Sequence, residues 1–237
     1  MQTTTARYKT ILAGAHWFEI KISIAGNEIG EAGIVSIHRS RPGMPDKRPS
    51  AGAALASTLT LRILKPNFTI PRMAEIDVYI RIRNASQTDT VWLAQGVYFI
   101  DTRRVNESSD GVATVDITAY DAIMKTEADY PDTAHDWPYL DTNVVAEIAS
   151  TIGVTVDART NQFLTAGYMI EFPVNYTMRE TLEQIAASYG GNFVVTSDNK
   201  LLFVPLYGFD YTEAGYYLAD ENGNALEFGT EGWYILV

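Results

Sequence analysis

The chain has 237 residues, 46% of them hydrophobic, and no cysteine, which excludes disulfide scaffolds, thiolate metal sites and cysteine nucleophiles. Its formal charge of −11 is uneven: residues 1–110 hold 14 Lys+Arg against 10 Asp+Glu (+4), and residues 111–237 hold 4 against 19 (−15). So acidic a second half argues against phosphate-backbone binding as the main task, which needs cationic contacts, and suits copies packed head to tail. No apolar run approaches the roughly 18 residues of a membrane span. The start, MQTTTARYKT, has no signal-peptide apolar region, so a soluble, cytosolically made protein is expected.

The first 120 residues read as antiparallel β. In FEIKISI (18–24), Ile20, Ile22 and Ile24 share one face. TLTLRIL (58–64) repeats the pattern with Leu59, Leu61 and Ile63, IDVYIRIR (76–83) with Ile76, Val78, Ile80 and Ile82, and VATVDITA (112–119) with Ala113, Val115, Ile117 and Ala119. This period of two marks half-buried strands, and their spacing suggests a sandwich or small barrel. RSRPGMPDKRPSAGAALA (39–56) interrupts them with three prolines, two glycines and four basic residues. Such a stretch cannot be a central strand. It is expected to be a long loop, and Arg39, Arg41, Lys47 and Arg48 are candidates for reaching a neighbouring subunit.

After Asp121 the period changes. DAIMKTE (121–127) reads as a short helix capped by Asp121, with Tyr120 packed beneath it, so Tyr120-Asp121 is expected to be a structural strand-to-helix junction. Residues 128–141 read as loop. TNVVAEIASTI (142–152) predicts a helix that buries Val145, Ile148, Ala149 and Ile152 and stops at Gly153. TMRETLEQIAASY (177–189) predicts another, opened by a Thr177/Glu180 capping box. Its buried stripe is Met178, Leu182, Ile185, Ala186 and Tyr189. NFVVT and KLLFVPL, joined by SDN, read as a β-hairpin near 192–206. The fold class is therefore mixed: antiparallel β over 1–120, then a smaller α+β domain over 121–237.

Chemistry is sparse. His16, His38 and His135 form no zinc-ligand spacing. His135-Asp136 has no nucleophile motif to serve, and there is no phosphate-binding glycine loop. DENGNALE (220–227) departs from a calcium loop and reads as a turn. Glu127, Asp129 and Asp132 are the acids available to a glycosidase, although a solvated loop explains them equally. No catalytic residue, metal site or cofactor is assigned. A carbohydrate-binding module is the reading suggested by 14 Tyr and 4 Trp, but most of these aromatics fall in core patterns.

The order of these pieces resembles a known family. GVYFIDT (96–102), the return strand VDITAYDAIM (115–124), TNVVAEIASTIGVTVD (142–157) and YTMRETLEQIAASYGGNFVVTSDNKLLFVPL (176–206) are similar to the baseplate-hub and tail-hub proteins of phages and prophages, related to the late-control tail proteins. The resemblance runs over roughly 16–237. It implies a barrel-like tube domain in the β half and a structural virion protein of the tail, synthesised in the bacterial cytoplasm. It further implies a trimeric hub ring of pseudo-sixfold symmetry, contacting tail-tube and tail-tip proteins, through which DNA passes without specific binding. Acidic residues are expected along that channel. The departure from the family is a second barrel reduced to a hairpin and a partial strand set before Ile235-Leu236-Val237. The alternatives are a hub or spike-base component of a phage-derived contractile injection system, and a tail-tip peptidoglycan hydrolase.

Overall fold

A computed structural model describes residues 4–42, 45, 50–86, 91–107, 112–131 and 136–206. It opens with a short helix, α1 (Ala6–Leu12), which buries Ile11. Then come β1 (Trp17–Ile24), β2 (Asn27–Gly30), β3 (Ile34–Ser40), β4 (Ala53–Leu55), β5 (Thr58–Leu64), β6 (Glu75–Arg83), β7 (Leu93–Glu107) and β8 (Ala113–Tyr120). Seven of these form one antiparallel sheet in the order β2-β1-β6-β7-β8-β5-β3. Its edge strands, β2 and β3, are separated in the chain only by the 3-10 turn Glu31–Gly33. Two edges joined by three residues cannot lie far apart, so the sheet curls into a barrel-like form. The alternating apolar residues fill its interior: Ile22, Ile24, Leu59, Leu61, Ile63, Ile76, Val78, Tyr98, Ile100, Val115 and Ile117 are all buried.

Asp121 then starts a 3-10 helix (Ala122–Glu127). It is followed by β9 (Tyr139–Leu140), α2 (Asp141–Ile152), β10 (Thr155–Val156), α3 (Thr160–Phe163), β11 (Met169–Ile170), α4 (Met178–Ser188), β12 (Gly191–Val195) and β13 (Lys200–Pro205). The expected stop at Gly153 is a left-handed residue with φ 81°. The capping box is complete, Thr177 Oγ1 accepting from the Glu180 amide while Glu180 accepts from the Thr177 amide. The hairpin pairs Gly191 with Pro205 through Val195 with Leu201. Val144, Val145, Ile148, Leu182, Ile185, Phe193, Leu201 and Phe203 form a second buried cluster. Tyr189 lies at its margin, half-buried.

The segment 39–56 is not loop throughout. Strand β3 continues through Arg39 and Ser40, and Ala53–Leu55 pairs in parallel with β12 at the edge of the second sheet, β10-β13-β12-β4. An edge is where a proline- and glycine-rich segment can hold a strand. Three contacts fix this one. The buried Asn192 side chain accepts from the Ala53 amide (3.0 Å) and donates to the Ser50 carbonyl (3.0 Å), and Arg179 donates to the Ala54 carbonyl (2.6 Å). The second sheet therefore takes one strand from before residue 121.

Candidate assembly surface

Asp121 sits where the two sheets meet. It is buried, and one carboxylate oxygen accepts from the Ser57 amide (2.8 Å) while the other accepts from the Ile123 amide (3.1 Å). Its own amide donates to the Ser57 carbonyl (3.0 Å). One side chain thus caps the 3-10 helix and fastens it to the link between β4 and β5. Burial pushes the Asp121 carboxyl above its usual range, against the pull of the Ser57 and Ile123 amides and of Arg41. Tyr120, half-buried at the end of β8, pairs with Thr58 and Phe99. Asp121 is thus the N-cap of the 3-10 helix that follows β8.

The basic residues of the β half are mostly engaged within the chain. Arg39 donates to the Gln95 carbonyl, and Arg41 to Ser197 Oγ (3.2 Å) in the β12–β13 turn. Lys47 and Arg48 lie outside the described residues. On the outer face of β1 and β6, Glu19 accepts from both Arg81 and Arg83. Lys21 pairs with Glu28 (2.9 Å), and Lys21 and Arg81 both stack on Trp92. Arg62 grips Asp116 with two bonds (2.5 and 3.0 Å), and Asn106 adds a third (2.7 Å).

Two strand arginines make no hydrogen bond or close ion pair among the described residues: Arg104 lies opposite Asp116 and is coupled to it only through space, and Arg103 lies opposite the apolar Ile117. They lie on the far half of β7. Strand β6 pairs only with residues 93–99 of this 15-residue strand, whereas β8 pairs with residues 99–107. From Asp101 to Glu107 the strand therefore has a sheet neighbour on one side only, and all its residues but Asn106 are exposed. Strand-by-strand reading misses this arm. Its only sequence signal is that the apolar pattern of 97–100 gives way to the polar DTRRVNE without a glycine or proline.

A second exposed zone lies beside β11. Tyr168, Met169, Val174 and Tyr176 are exposed, and a groove of about 300 Å³ runs between this segment and α4, lined by Met169, Ile170, Glu171, Phe172, Tyr176 and Gln184. Of the acids weighed as hydrolytic, Glu127 is ion-paired to Arg179 (2.6 Å) and Asp129 bridges through its backbone to Thr177. Asp132, His135 and 220–227 lie outside the described residues. Among the described residues no three His, Asp or Glu side chains converge.

The curled antiparallel sheet followed by this α+β part is a fold shared with two solved tail proteins. The 43 kDa tail protein of prophage MuSo2 from Shewanella oneidensis superposes with a TM-score of 0.55 at 12% identity, over 81% of this chain and 56% of that one. The tail protein from Neisseria meningitidis MC58 gives 0.52 at 14% identity, over 85% of this chain and 54% of that one. The chain thus spans about half the length of each. No protein-family model matches it, and neither does any curated protein.

Proposed function

We propose that the protein is a structural, non-enzymatic component of a phage or prophage tail, located in the virion, where copies form a hub ring between tail tube and tail tip. The observation that carries this reading is the fold shared with a prophage tail protein and a second tail protein over more than four-fifths of the chain. The curled sheet supplies the barrel-like tube domain, and the acidic second half suits the rim of a channel that DNA crosses without being held. Light scattering over a range of concentrations, with negative-stain images of the largest species, tests it. Trimeric rings are expected, and a monomer at every concentration refutes the ring.

A further inference from the structure

We infer that the open half of β7, Asp101–Glu107, is an edge onto which a second copy of this chain docks, through the groove between its β11 segment and α4. Only the choice of a second copy as occupant rests on the ring reading above. An unpaired strand edge carries a row of amide and carbonyl groups suited to pairing with another chain. Folded proteins usually shorten, cover or protect such edges, and here none of the described residues pairs with it.

Charge and shape select the occupant. The centre of the arm is Arg103-Arg104-Val105. Glu107 at its end is drawn to Lys65 (3.7 Å) and Asp116 offsets Arg104, so Arg103 is the free charge of the middle. Val105 is 51% exposed, an apolar side chain in open solvent on a strand whose inner half is core. The groove offers the complement. Met169 is 55% and Val174 57% exposed, and Glu171 lines the groove with no ion-pair partner among the described residues. Val105 of one copy fits against Met169 of the next, and Arg103, on the same face of the strand as Val105, against Glu171, while Arg104 faces the other way towards Asp116. Donor and acceptor patches occupy different parts of the chain, so the contact is head-to-tail. Such a contact closes into a ring or runs on as a filament, according to its rotation.

Reversal of charge on each side is the test, read by sedimentation velocity over a range of concentrations. Arg103→Glu/Arg104→Glu is expected to weaken association roughly tenfold or more, and Glu171→Arg to do the same. Combining all three is expected to recover most of the loss. Glu171 is exposed and has no fold-holding bond among the described residues. It therefore decides the matter even where the arginine double variant folds poorly. Hydrogen exchange should show the amides of 102–106 slowing on assembly. Rings that survive both reversals, or a triple variant no better than either parent, overturn this docking and leave the ring reading standing. Filaments or dimers that respond to the swap support the docking and refute the ring. A wild-type monomer at every concentration overturns both.

Discussion

Replacing Asp121 with Ala should unfasten the junction between the two sheets. The carboxylate accepts from two backbone amides, those of Ser57 and Ile123, and no water can substitute at a residue only 3% exposed. Each stranded amide costs roughly 1–2 kcal/mol, and the Ile123 share equals an ordinary helix cap. The expected loss is about 3 kcal/mol, read from the urea midpoint at pH 7 with the slope unchanged. Asp121→Asn keeps one acceptor oxygen and should lose about half as much. The pH dependence has a definite sign. Burial places the folded pKa above the ordinary value of about 4, so the folded state holds that proton more tightly than the unfolded one. The resulting stability is present below about pH 4 and is lost as pH rises through the folded pKa. Asn does not titrate, so the gap between wild type and Asp121→Asn should be wider at pH 4 than at pH 7. A loss below about 1 kcal/mol for Asp121→Ala, or a gap that narrows in acid, refutes the clamp.

Two further substitutions probe the second sheet. At Gly191 an added Cβ would lie 2.5 Å from the Val204 carbonyl oxygen and closer still to the Phe203 ring. Gly191→Ala should therefore cost about 3 kcal/mol, a melting shift of roughly 6–12 °C for a chain of this size. Asp157 is held at about 2, chiefly by its hydrogen bonds from Arg159. Its contribution is present above the unfolded pKa and lost as pH falls from about 4 towards 2. Asp157→Asn should cost about 1–2 kcal/mol at pH 7, discounted for the half-exposed Arg159, and the deficit should shrink across that window in acid melts.

Much of the fold was legible because its strands bury one face only. In β5 and β8 the inward residues alternate without interruption, in β6 only Ile80, next to a bulge, is half-buried, and all three strands lie in one sheet. Helices α2 and α4 were legible from their ends, Gly153 and the Thr177/Glu180 box. Strand β3 escaped detection because a bulge between Ile34 and Ser36 breaks the alternation, leaving Ile34 and Ile37 three residues apart on the core side. Helix α1 escaped because its seven residues bury one side chain. Strand β4 has no local signal, being three small residues set in place by the side chain of Asn192, well over a hundred positions away.

The assembly surface was less legible, for a reason that charge counting cannot supply. A net charge of +4 over residues 1–110 suggests a free basic surface, and the sequence points to the basic segment 39–56 as its place. Yet Glu19, Glu28 and Asp116 each take up cations from their own sheet, and Arg39 and Arg41 bond to Gln95 and Ser197. Cross-strand pairing decides which charges are already spent, and register is a long-range property. Arg104 stands opposite Asp116 and shares that carboxylate's charge with Arg62, so what remains on the part of β7 that outruns β6 is Arg103, opposite the apolar Ile117. The same mismatch in strand length leaves the backbone edge unpaired and leaves Arg103 without an acidic partner across the ladder. One feature of sheet geometry thus supplies both the hydrogen-bonding groups and the charge that a partner would need.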